Sequence, residues 1–344
     1  MQIGVVYPQN ELSGNPAAVR RIGRAVEDLG FDHLMAYDHV LGAEHADRSP
    51  VLSGYSERDP FHDPFVMFAY LAAITERLRF ATGVLVLPQR QTALVARQAT
   101  DVDLLSGGRL RLGVGVGWNH VEFEALGEDF GTRGARQQEQ IQVLRRLFTE
   151  PLVDFSGRFH RIDRAALLPK PARSIPIWLG GHGEKAFERA ARFADGFIFF
   201  GRDIDHVVAN WNRLRDRLRD HGRPVEEFGG DWVLTPQPDV AHLTDEVDAW
   251  RQAGGTHVTV PTVGLGLDTI DDHIDHMTAI AGTLFGLYSA QAGDPPGGAS
   301  ANRPPPGGPT SGTRAARAAA TPRTRRATTS PRPAPGPAAA VARP

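Results

Sequence analysis

Along the first ~285 residues, short apolar runs alternate with longer segments whose apolar positions recur at helical spacing, the pattern of repeated parallel β/α units. Ile3–Tyr7 precedes a helix over Pro16–Leu29, with Pro16 suited to a first helical position. His33–Tyr37 is followed by a long loop and a helix from Pro64 to Glu76. Leu78–Val86 precedes Ala93–Leu105, and Arg109–Val114 precedes a glycine-rich loop and a helix over Arg133–Phe148. Ile175–Leu179 leads to Glu184–Phe193, Gly196–Phe200 to Ile204–His221, Phe228–Leu234 to Thr244–Gln252, and Thr256–Val260 to Thr269–Thr283. Eight such pairs in this length predict an α/β fold, a (β/α)8 TIM barrel with insertion loops. A doubly wound open sheet would need a second domain to place eight strands. Pro151–Ile162 reads as a short hairpin. Two connections, Asp38–Asp63 and Trp118–Gly131, are too long to be simple links, and long loops at the C-terminal ends of barrel strands build active sites.

The pattern stops near Ala290. From 290 to 344 the chain is Pro, Ala, Gly, Thr, Ser and Arg, with eight arginines against one aspartate. Such a segment cannot bury enough apolar area to offset ordering entropy, so 290–344 is expected to be a disordered tail behind a barrel domain over 1–285. The whole chain of 344 residues has net charge -2 and no cysteine. The near-neutral balance argues against nucleic acid as the main partner. The absent thiols exclude disulfides and thiolate catalysis and suit a reducing cytoplasm. No leader peptide is visible, and no apolar run approaches the ~18 residues that span a bilayer, so a cytoplasmic protein is expected.

Candidate chemistry collects at the expected strand ends. Gly107 to Gly127 carries Gly113, Gly115 and Gly117 with only valines between, then Trp118–Asn119. Alternating glycines mean a backbone that something flat or anionic can approach. Neither the dinucleotide fingerprint nor the P-loop is present, because Trp118 stands where the third fingerprint glycine belongs and no Gly-Lys-Ser/Thr follows. Asp38–His39 closes strand 2, a histidine beside an aspartate being a proton donor or acceptor held in one tautomer by a carboxylate. Gly180–Gly181–His182–Gly183 leads directly into a helix, whose N-terminal N–H groups form a phosphate cradle. No metal site is expected: His45, His62 and His120 lack ligand spacing, and His273 with His276 reads as a solvated helix face. Bare backbone, a phosphate cradle and a histidine, without metal or nucleophile, point to cofactor chemistry on a small-molecule substrate.

The run LAAITERLRFATGVLVLPQRQTALVARQATDVDLLSGGRLRLGVGVGWNHVEFEALG, from Leu71 to Gly127, resembles the luciferase-like monooxygenase superfamily, and within it the actinobacterial coenzyme F420-dependent oxidoreductases. YDHV, RGARQQEQ, FSGRFHRI and PIWLGGHGEKAFERAARFADGF match as well, so the resemblance covers about residues 1–285. It implies a TIM barrel, commonly dimeric, holding a flavin or deazaflavin at its mouth, with a non-proline cis peptide at Gly83–Val84 against the ring. It places Asp38 and His39 by the ring's polar edge and the substrate. Gly115, Gly117, Trp118 and Asn119 fall on the pocket wall, and Gly180, Gly181 and His182 on the cofactor phosphate. Sugar-phosphate dehydrogenases of the superfamily carry a glutamate where Trp118 stands. Its absence leaves His39 as the catalytic proton-transfer residue, with Glu122 second. The implied function is F420-dependent hydride transfer to or from a small organic substrate. The alternatives are an FMN-dependent monooxygenase and a flavin- or F420-binding protein without turnover.

Overall fold

The computed structural model describes residues 1–52 and 54–286. The expected tail over 290–344 lies outside the described residues. Among the described residues eleven strands are formed: β1 (Gln2–Val6), β2 (His33–Ala36), β3 (Arg79–Thr82), β4 (Leu85–Val86), β5 (Leu110–Gly115), β6 (Val153–Ser156), β7 (Arg161–Ala165), β8 (Ile177–Gly180), β9 (Gly196–Phe200), β10 (Gly229–Val233) and β11 (His257–Pro261). Between and after them run α1 (Pro16–Asp28), α2 (Pro64–Ala72), α3 (Thr92–Leu105), α4 (His120–Ala125), α5 (Arg133–Thr149), α6 (Glu184–Phe193), α7 (Ile204–Asp220), α8 (Leu243–Gln252) and α9 (Ile270–Phe285).

Parallel pairing runs β3-β2-β1-β11-β10-β9-β8-β5, and β3 also pairs with β5, which closes the ring. β4 continues the β3 stave on the other side of a break and pairs with β5, Leu85 opposite Val114. The protein is therefore the eight-staved (β/α)8 barrel that the hydrophobic pattern predicts. The expected continuous strand Leu78–Val86 is instead split at Thr82–Gly83–Val84, where the Gly83–Val84 peptide is cis. β6 and β7 form the expected antiparallel hairpin outside the barrel.

Local signals set the helix starts. Asn15 accepts from the Ala17 N–H ahead of Pro16, and Asp63 accepts from Phe65 and Val66 ahead of Pro64. Thr269 and Asp272 form a capping box on α9. Alternation along β5 sorts its side chains: Leu110, Leu112 and Val114 join the core under the helices, while Arg111, Gly113 and Gly115 face the barrel interior. Val6, Met35, Ala81, Trp178, Ile198 and Val233 fill that interior. His273 corrects one expectation, since it is fully buried, 3.5 Å from Glu11, and not on a solvated face. Among the described residues no helix is long and apolar enough to cross a membrane.

Candidate active site

A cavity of about 610 Å3 opens at the C-terminal ends of the strands. Asp38, His39, Gly83, Val84, Gly115, Gly117, Trp118, Gly180, Gly181 and His182 all line it, together with Tyr37, Tyr55, Val86, Val116 and Phe200. Asn119, and Glu122, the second proton-transfer candidate, do not. The Asn119 side chain is buried, caps α4 by accepting from the Val121 and Glu122 N–H groups, and donates to the Leu41 carbonyl at 3.3 Å.

The glycines do something other than bare a strand face. A Cβ on Gly113 would meet the Thr82 carbonyl oxygen at 2.0 Å, and one on Gly117 would meet Val86 Cγ1 at 2.5 Å. On Gly115 it would lie 2.3 Å from Val84 Cγ2, and on Gly180 2.7 Å from Val84 Cγ1. The missing side chains of Gly115 and Gly180 thus leave the slot in which Val84 is seated, and Gly113 lets β3 close onto β5. Val84, half-buried, is left as an apolar floor of the cavity.

Asp38 and His39 diverge, as neighbours on an extended segment must. The Asp38 carboxylate is buried and engaged by Arg90 (2.6 Å and 3.3 Å) and the Val86 N–H (2.9 Å). Burial pushes its carboxyl upward, and Arg90 pulls the other way. Arg90 also reaches Asp63 at 3.0 Å, tying both ends of the Asp38–Asp63 loop to one guanidinium.

The carboxylate that holds His39 is Glu122, 3.1 Å from its Nδ1, and not the adjacent Asp38. Glu122 is 1% exposed, and its second oxygen accepts from the Val40 and Leu41 N–H groups. Burial alone would raise this carboxyl, but the His39 contact and the two backbone donors hold it below the ordinary glutamate value. A carboxylate at Nδ1 keeps the proton there and leaves Nε2 as the exchangeable position. Nε2 has no hydrogen-bond partner among the described residues. The ring is fixed edge-on by Phe61 (5.0 Å), Trp118 (5.3 Å) and Tyr55 (5.5 Å).

Sequence reasoning missed the helix that carries Glu122, reading Trp118–Gly131 as loop. The signals were present: Asn119 is an N-cap, and Gly127 has the left-handed conformation (φ 76°) just past the helix end. Glu122, three residues after the cap, would have passed for a capping-box member, whereas its carboxylate turns to the strand 2 loop. No sequence signal pairs Arg90 with Asp38.

At the far wall, Gly180–Gly183 delivers the chain into the ten-residue helix α6. Gly181 (φ 149°) and Gly183 (φ 76°) hold backbone angles that favour glycine. Gly180, Gly181 and His182, the residues just before that helix N-terminus, line the cavity, an arrangement suited to a phosphate. A flat apolar floor, aromatic walls and an anion-favouring end fit a flavin-type cofactor.

Comparison with known proteins agrees with this architecture. An uncharacterized protein of Mycobacterium tuberculosis is 31% identical over 286 residues, covering 81% of this chain and 98% of that one. Pyrimidine monooxygenase RutA of Variovorax paradoxus is 30% identical over 269 residues, 70% of this chain and 71% of RutA. The monooxygenase RslO1 from Streptomyces bottropensis superposes with TM-score 0.68 at 21% identity, covering 84% of this chain and 100% of RslO1. An F420-dependent secondary alcohol dehydrogenase superposes with TM-score 0.66 at 16% identity, covering 81% and 97%, a likeness of fold. The family model for luciferase-like monooxygenases matches residues 1–272, and the chain belongs to that family.

Proposed function

We propose that this protein is a coenzyme F420-dependent oxidoreductase that passes a hydride between the deazaflavin and a small organic substrate. The observation that carries the reading is His39, locked by Glu122 and ringed by three aromatic side chains, with Nε2 free at the cavity. Reduction of a carbonyl or activated double bond requires a proton for every hydride, and the cofactor supplies only the hydride. His39 Nε2 delivers that proton to the substrate atom that gains negative charge, or takes it back in the oxidative direction. Glu122 stabilises the imidazolium form between the two transfers. Val84, seated over Gly115 and Gly180, supports the ring system, and the Gly181–Gly183 segment with His182 receives the phosphate. Tyr55 and Phe61 of the Asp38–Asp63 loop, packed on each other at 4.9 Å, narrow the mouth and select the substrate. The exposed Val66, Tyr70, Leu94 and Leu105 on α2 and α3 provide the apolar face for a homodimer.

Anaerobic oxidation of reduced F420 by a panel of carbonyl and enone acceptors tests the reading. Turnover in the wild type and a fall of about 10²- to 10⁴-fold in His39→Ala, with F420 affinity retained, is the expected result. Equal losses of turnover and affinity would remove the proton-transfer role. The likeness to RutA favours a second reading, FMN-dependent monooxygenation, which oxygen consumption driven by reduced FMN would establish.

A further inference from the structure

The opposite, N-terminal end of the barrel holds a second cavity, of about 390 Å3, whose walls include His33, Arg79, Arg111, Arg173, Trp178 and His257. Its polar groups are incompletely matched from within the protein. Arg111, 9% exposed, gives one amino group to Asp231 at 2.7 Å and stacks on Trp178 at 4.4 Å. Its other amino nitrogen is buried without a hydrogen-bond partner. Arg79 is exposed at the cavity, and among the described residues its side chain has no hydrogen bond or ion pair. Arg173 is tied to Asp103 and to the carbonyls of Gly108 and Leu110. The acidic side chains close by, Asp231 and Asp103, are each already held by an arginine, so the cavity has a surplus of positive charge.

A chain of hydrogen bonds fixes the protonation of His33, which is 2% exposed. The Thr259 hydroxyl donates to Asp231 at 3.0 Å, because an ionised carboxylate only accepts. Thr259 Oγ1 therefore accepts from His33 Nε2, 2.8 Å away. That leaves His33 Nδ1 as a bare acceptor, buried and without a partner. The same cavity thus has unmatched cationic donors on Arg111 and Arg79 and an unmatched neutral acceptor on His33. Buried polar groups in native proteins are normally paired, so two orphans of complementary kind at one cavity point to a ligand that answers both.

We propose that this cavity binds free hydrogen phosphate, whose oxygens accept from Arg111 and Arg79 and whose remaining P–OH donates to His33 Nδ1. Sulfate carries no proton near neutrality. A phosphomonoester loses its last one with a pKa near about 6. Neither can satisfy His33. The site lies on the same two staves as the cofactor cavity: β5 carries Arg111 at one end and Gly115 at the other, and β8 carries Trp178 and Gly180. At about 3.3 Å per residue the four positions from Arg111 to Gly115 span about 13 Å, so the two sites are separate.

Calorimetric titration of the full chain at about pH 7.5 and fixed ionic strength, with inorganic phosphate, sulfate and methyl phosphate, tests this. Saturable phosphate binding, about tenfold or more tighter than sulfate or methyl phosphate, is expected. R79Q, at an exposed and unpaired position, should weaken it about tenfold without unfolding the protein. H182A, at the other end of the barrel, should leave it unchanged. No saturable binding would overturn the proposal, as would equal affinity for sulfate or methyl phosphate. Loss in H182A with retention in R79Q would assign the ion to the cofactor cavity and overturn it equally.

Discussion

At the C-terminal mouth His39 keeps one nitrogen on a carboxylate and opens the other to a cavity, whereas at the N-terminal end His33 and His257 lie against arginines and are held neutral. Both ends are built from the same staves, and the difference lies in what faces the histidine. Glu122 reaches His39 because a short helix after β5 brings it over the strand 2 loop. Burial and the positive charges of Arg111 and Arg79 push His257 down to about 2, and His33 well below its ordinary value. A barrel can therefore place an imidazole held by a carboxylate beside a cavity at the end with long loops, and imidazoles kept neutral by arginines at the end with short ones.

Removing one partner of the buried Arg111–Asp231 pair breaks the lower end most severely. Asp231→Ala leaves Arg111 buried without a counter-charge and should cost about 3–5 kcal/mol of stability, read from the denaturant midpoint. Cofactor affinity in whatever fraction stays folded should hold, and a parallel loss would mean that the two ends are coupled. Gly115→Ala is the matching insult at the upper end. Its Cβ would collide with Val84, so about 1–3 kcal/mol of overpacking strain is expected, and cofactor affinity should fall with stability.

Glu122→Gln removes charge from the upper end with little change of shape. The amide oxygen can still accept from Val40 and Leu41, so the loop should stay in place. The charge beside His39 is gone, and turnover should drop about tenfold. Unchanged turnover would reduce Glu122 to a loop anchor. The smallest effect concerns acid stability. His257 and His33 have folded values below the ordinary 6.5, so the unfolded chain binds protons that the folded one refuses. Stability should decline as pH falls below about 6.5, each such histidine adding a slope of up to about 1.4 kcal/mol per pH unit. His257→Gln should remove one histidine's share of that slope in denaturation series across pH 7 to 5.

The barrel was legible in the sequence because each stave and each helix carries its own periodicity and punctuation, such as Asn15–Pro16, Asp63–Pro64 and Thr269. The interruption at Gly83–Val84 was legible only by family likeness, since a single glycine inside a strand pattern does not by itself mark a cis peptide. The glycine run was correctly marked as a place of close approach, but the approaching group is Val84 of the neighbouring stave. A period-2 pattern shows that side chains are missing, not what takes their space. The pairing of His39 was misread for a related reason: sequence adjacency favoured Asp38, while the real partner lies 83 positions away on α4. Long-range pairs such as Glu122–His39, Arg90–Asp38 and Arg111–Asp231 depend on how the staves are stacked and leave no local trace.

The proposed function requires the mouth cavity to hold a deazaflavin. Titration of the purified protein with F420 and, separately, with FMN, followed by cofactor fluorescence, decides between the two cofactors. Micromolar or tighter binding of F420 with much weaker binding of FMN is the predicted result, with the F420 affinity reduced in Gly115→Ala. Tight FMN binding with no measurable affinity for F420 would rule out deazaflavin chemistry here and move the reaction to oxygen.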